Sequence, residues 1–209
     1  MAPRRLPMFP LGTVLLPFAH LPLHIFEPRY RALVKDVLAG DGEFGVVLIE
    51  RGQEVGGGDV RFGVGTVAKI MQTAELPDGR WLLDAVGTER FRITEWLPDD
   101  PYPLAMIESF DDAPSDTDAE AAERRTAVER LLRQVLAMQV ELGFPAPSAV
   151  RTLEENPAVA AFEAAVLSPI GPMDTQKVLE APSTVARLAL LEALLTEARE
   201  FLSNRIAEA

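Results

Sequence analysis

The sequence contains no cysteine. That absence removes disulfides, thiolate nucleophiles and Cys-based zinc sites together, and it fits a reducing compartment. Basic residues are scarce as well, and the formal net charge is -12. A polyphosphate backbone is bound mainly through Lys and Arg that release counterions, so nucleic acid is not the expected partner. No uncharged apolar run reaches the roughly 20 residues needed to span a bilayer. Arg4 and Arg5 precede an apolar stretch that could be mistaken for a secretory signal, but Pro7, Pro10, Pro17 and Pro22 interrupt it. Proline costs about 3 kcal/mol inside a helix, so no helical signal core forms. The expected location is the cytoplasm, with no membrane partner.

What is present describes a folded protein: 48% of the 209 residues are hydrophobic and 25% charged. Up to Phe110, short apolar runs alternate with Gly and Pro; beyond it Ala, Leu and Glu dominate. The stretch Asp111-Asp112-Ala113-Pro114-Ser115-Asp116 joins these regimes with turn formers and helix caps, which places a domain border there and gives domains 1–112 and 113–209.

In the first half the pattern predicts a strand at Leu6–Phe9 and extended segments at Val14–Phe18 and Leu21–Phe26. A helix follows from Pro28, because Tyr30, Leu33, Val34, Val37 and Leu38 recur with helical spacing before Gly40. Further strands are expected at Phe44–Ile49, Phe62–Leu76, Trp81–Val86, Phe91–Leu97 and Leu104–Phe110. Pro77-Asp78-Gly79-Arg80 supplies a hairpin turn, and Glu50–Asp59 reads as a flexible loop. A mostly antiparallel sheet closing into a barrel is the expected result. The second half reads as helices at Thr117–Leu142, Ser148–Glu154, Pro157–Leu167 and Met173–Glu180, with a last one from Pro182 to about Ile206. The fold class is therefore α+β, a β-barrel followed by a helical bundle.

Four strings then carry a resemblance. They are Leu6-Pro7-Met8-Phe9-Pro10-Leu11 with Leu21-Pro22-Leu23-His24-Ile25-Phe26-Glu27-Pro28-Arg29-Tyr30-Arg31, then Gly63-Val64-Gly65-Thr66-Val67-Ala68-Lys69-Ile70, Leu76-Pro77-Asp78-Gly79-Arg80, and Gly87-Thr88-Glu89-Arg90-Phe91-Arg92-Ile93. In this order they resemble the N-terminal, substrate-binding domain family of Lon proteases; Asp174-Thr175-Gln176-Lys177-Val178-Leu179-Glu180 and Arg187-Leu188 extend a looser likeness into the second half. The resemblance implies a PUA-like antiparallel β-barrel and a helical bundle, in a stand-alone relative without ATPase or peptidase domains. It also implies recognition of proteins or unfolded segments.

Folding alone accounts for much of these motifs. Gly63, Gly65 and Gly87 suit bulges or close backbone approach, and Phe26, Phe91 and Ile93 suit a barrel core. Glu27, Arg29 and Arg90 fit an ion pair or cap fastening helix to barrel, or a partner contact. The candidate partner-binding set is Phe26, Glu27, Arg29, Tyr30 and Arg90, with Phe18 and Trp96 as further apolar candidates.

No catalytic residue, cofactor or metal is assigned. Lys35, Lys69 and Lys177 are the only lysines, and none follows a glycine-rich turn that would cradle phosphates. Ser148 lacks the flanking glycines of a Lon serine motif and reads as a helix N-cap. His20 and His24 share a face of an extended segment, since Pro22 lies between them, and no third ligand is spaced to join them. Asp99-Asp100 and Asp111-Asp112 read as solvated turn carboxylates. Three other functions stay open: an adaptor docking through the bundle with possible self-association, an RNA-binding PUA-like protein, which the acidity disfavours, and an enzyme with an unadvertised pocket.

Overall fold

The computed structural model describes residues 3–52, 60–114, 118–148 and 152–208. The chain divides into two units, Met1–Asp111 and Asp112–Ala209.

The first unit contains β1 (Arg4–Leu11), β2 (His20–Ile25), α1 (Pro28–Ala39), β3 (Glu43–Arg51), β4 (Val60–Glu75), β5 (Trp81–Leu97) and β6 (Leu104–Ser109). Its strands form a six-stranded sheet in the order β2-β5-β4-β3-β1-β6, and β5 also pairs with β6. Five strands thus form a cycle of pairings, with β2 outside it. The sheet is mixed: β1 and β3 run parallel, Met8 opposite Gly45, while the other pairs are antiparallel. That parallel pair is geometrically allowed because β2 and α1 provide the long crossover that parallel neighbours need.

Period-two alternation sends Phe9 and Leu11 of β1 into one core with Ile25, Leu33, Val34 and Phe44, and Leu6 and Met8 into a second with Val47, Phe91 and Ile107. Two departures from the expected elements have clear causes. The extended Val14–Phe18 segment ends in a turn at Pro17-Phe18, where Phe18 has φ 67. The runs Trp81–Val86 and Phe91–Leu97 are one strand, β5, because Gly87 has no side chain to meet the Leu16 carbonyl beside it. A register shift opposite, between Thr66 and Ala68, absorbs the irregularity. Gly65 is crowded in the same way by the Val46 carbonyl and the Phe91 ring, whereas Gly63 faces open space. Gly79 supplies the positive φ of the hairpin turn. Residues 53–59 of the Glu50–Asp59 loop lie outside the described residues, and Glu50 and Arg51 belong to β3.

The second unit contains α2 (Asp118–Glu141), α3 (Pro157–Leu167), α4 (Pro172–Glu180) and α5 (Thr184–Ala207). Helix α2 packs chiefly on α5, burying Val128, Leu131, Leu132 and Val135 of the first and Leu188, Leu191, Leu195 and Leu202 of the second. Small residues on α3, Ala160, Ala161, Ala164 and Ala165, are buried alongside. Asn156 caps α3 through the Ala158 N–H, and Ser183 caps α5 through the Ala186 N–H. Of the helix expected at Ser148–Glu154, residues 149–151 lie outside the described residues and 152–154 are not helical.

Of the Asp111-Asp112 pair, Asp111 is exposed but Asp112 is not a solvated turn carboxylate. The Asp112 carboxylate takes two hydrogen bonds from Arg187, at 2.6 and 3.1 Å, and one from the Thr184 hydroxyl at 2.6 Å. Arg187 is fully buried, and its guanidinium stacks over Phe162 at 4.0 Å. Asp99 is likewise engaged, by Arg61 at 3.3 Å.

Candidate functional site

The corner where β2 turns into α1 gathers most of the sequence candidates. Pro28 occupies the first turn of α1, where its missing N–H is harmless, and Glu27 is the residue before the helix. The Glu27 side chain caps nothing; it accepts a hydrogen bond from Arg29 Nε at 3.1 Å. The Arg29 guanidinium in turn lies over the Tyr30 ring at 4.4 Å. Both charged side chains are mostly covered, at 17% and 19% exposure, so the pair fastens the corner and still shows an edge to solvent.

Two of the candidates are buried. Tyr30 is 3% exposed and packs on Phe9, ring centroids 4.2 Å apart. Arg90 is 6% exposed and stacks over Phe110 at 4.3 Å, with Arg92 over the same ring at 4.4 Å. The Phe110 N–H also donates to the Arg90 carbonyl. Neither side chain is available to a partner in this conformation, because each completes the packing of the first unit.

The apolar candidates behave differently. Phe26 is no core residue: it is 53% exposed, with the His24 ring edge-on at 6.3 Å. Phe18 is equally exposed at 53%, held out by a turn that a non-glycine residue rarely adopts. Trp96 is exposed as well, with the Arg61 guanidinium over its ring at 4.7 Å. The structure adds Leu82, opposite His24 in the β2–β5 register and exposed. The sequence hid Leu82 inside an apolar run, although Asp84 two residues on marks the outward row of β5. Phe26, His24 and Leu82 therefore form an exposed apolar surface beside the Glu27–Arg29 pair.

His20 and His24 both lie on the exposed row of β2, where His20 Nδ1 is 3.4 Å from Asp84. Among the described residues no group of three potential metal ligands occurs, and no helix is long and apolar enough to cross a membrane. The arrangement offers shape, apolar surface and main-chain groups.

Comparison with known proteins decides the family. Residues 5–197 match the model of the ATP-dependent protease La (LON) substrate-binding domain. The chain belongs to this family. It is 32% identical over 213 residues to Lon protease 2 of Myxococcus xanthus, an alignment covering 99% of this chain and 25% of that protein. Lon protease of Anaeromyxobacter dehalogenans is also 32% identical, with the same coverage of 99% and 25%. The chain thus spans about a quarter of the length of these relatives. Among solved structures, the Lon N-terminal domain protein from Xanthomonas campestris is 28% identical with a TM-score of 0.66, covering 91% of this chain and 98% of that one. The N-terminal domain of Mycobacterium avium complex Lon protease shares the fold, at 18% identity, a TM-score of 0.65 and coverage of 92% and 98%. The LON-family fold is here the α+β arrangement of a mixed sheet and a set of helices.

Proposed function

We propose that this LON-family chain is a non-catalytic recognition module for unfolded protein segments, with the β2–α1 corner as its contact surface. The observation carrying the reading is that Phe26 and Leu82 are exposed together at this corner, joined by His24, which faces Leu82 across the strands and meets the Phe26 ring edge-on. Family membership supports it, since the relatives are proteases and the matched region is their substrate-binding domain. A phosphate loop and a supported Ser–Lys pair are missing from the sequence, and Lys69 and Lys177 are engaged by Glu43 and Asp174, which supports leaving ATP hydrolysis and peptide cleavage to other proteins. The reading has the module in the cytoplasm, without cofactor, metal, nucleic acid or membrane.

The test is binding of reduced, alkylated α-lactalbumin against native α-lactalbumin. Both are acidic, like this chain, so attraction of opposite charges is not the cause of capture. The unfolded form binds and the native form does not, and Phe26→Ser and Leu82→Ser each weaken binding about fivefold or more, as expected for losing a large apolar contact. Equal binding by wild type and both variants removes the corner from the reading.

A second reading is favoured by one observation on the helical unit. A groove of about 440 Å³ between the ends of α2 and α5 is lined by Phe144, Ile170, Leu194 and Phe201, with Asp174 and Glu197 among its polar residues. It fits an adaptor that docks a subunit through its bundle. Loss of partner capture by Phe201→Ser, with α-lactalbumin binding intact, would favour it.

A further inference from the structure

Strand β2 lies at the end of the sheet order and, among the described residues, pairs with β5 alone. Two hydrogen bonds fix which of its main-chain groups are used. The Gly87 N–H donates to the Ala19 carbonyl at 2.9 Å, and the Leu76 N–H donates to the Arg80 carbonyl at 2.8 Å. Bonded and non-bonded residue pairs alternate along an antiparallel ladder. Stepping from Ala19–Gly87 makes Leu21–Ala85, Leu23–Leu83 and Ile25–Trp81 the bonded pairs of β2 and β5. Stepping from Leu76–Arg80 makes Ala74–Leu82 and Gln72–Asp84 the bonded pairs of β4 and β5, so Leu82 and Asp84 are committed to the far side. Both routes agree. The N–H groups of His20 and His24 and the carbonyls of His20, Pro22 and His24 point away from the sheet, and all three residues are exposed.

We propose that this edge of β2 receives an extended segment of an unfolded polypeptide as an added strand. The proposal deepens the recognition reading above and rests on it. A row of outward donors and acceptors in alternate phase is complemented only by another extended main chain, which makes a strand the occupant. The side chains around the edge select its character. Phe26 and Leu82 offer exposed apolar surface, no lysine guards the strand, and the one carboxylate on the neighbouring outward row, Asp84, is already met by His20. The segment is therefore uncharged and apolar at alternate positions. Pro22 removes the central donor from the row, which weakens the ladder by one hydrogen bond and keeps binding reversible.

The experiment uses a dye-labelled, uncharged eight-residue peptide alternating Thr with Phe and Val, and two copies of it N-methylated at either the odd or the even amides. Anisotropy titration of the full chain shows the parent peptide binding and one methylated copy failing while the other binds like the parent. Pro22→Ala restores a donor and tightens binding about three- to tenfold, and His24→Pro removes one and weakens it by a similar factor. Pro22 shows that proline is accommodated at this phase of the strand; if His24→Pro fails to fold, the methylated pair on wild type decides. Equal binding of the two methylated copies overturns the proposal, as does Pro22→Ala that self-associates without binding the peptide more tightly. Binding of unfolded α-lactalbumin but not of the peptide overturns the edge alone. Binding of neither overturns the edge and the recognition reading together.

Discussion

Gly65 and Gly87 stand where a β-carbon would lie 2.3 Å from the carbonyl oxygens of Val46 and Leu16, respectively. Main chain cannot swing aside as a flexible side chain can, so Gly65→Ala and Gly87→Ala are expected to lose about 1–3 kcal/mol each. Gly63→Ala, facing open space, stays within about 0.5 kcal/mol of wild type. Urea unfolding of the three variants checks the contrast. All three glycines look alike in sequence, because the crowding atoms come from other strands. Tyr30 teaches the complementary lesson: its spacing with Leu33, Val34 and Val37 had already put it on the apolar face of α1, and the burial follows that spacing. Arg90 had no such local signal, since Phe110, the ring beneath it, lies in a distant part of the sequence.

Helix α1 is tied to the segment before β6 by Tyr102, whose hydroxyl donates to Asp36 at 2.7 Å. Burial, then the bond to Asp36, push the Tyr102 phenol from 10.0 up to about 12. A raised phenol favours the protonated form in the folded state. The stability it contributes is complete below pH 10, where the unfolded group titrates, and is lost as pH climbs through about 12. Melting temperature measured between pH 9 and 12 should therefore fall more steeply for wild type than for Tyr102→Phe. At this scale α1 and the hairpin were legible, because helical spacing and Pro-Asp-Gly-Arg are local signals. The parallel partnership of β1 with β3 was not, since nothing within either strand names its neighbour.

Across the whole molecule, the ordered motifs carried the architecture of a LON-family domain. What composition could not reveal is how the helical unit is fastened. Asp112, its first residue, is held by Arg187 on its last helix. Asp112→Ala strands a fully buried guanidinium and should cost about 3–5 kcal/mol. Arg187→Met leaves an aspartate whose side chain is 27% exposed and can hydrate, so its loss is smaller. Urea midpoints of the two variants, compared with wild type, test the ordering.

The same clasp has a counterpart in the first unit, where Arg4, near the start, sits opposite Ile107 near the end. Each unit is thus sealed by joining its beginning to its end. A ribosome delivers these partners at opposite moments of synthesis, so neither unit can close until almost its full length has emerged. The sheet can close once β6 has emerged, whereas the helices wait unsealed for α5.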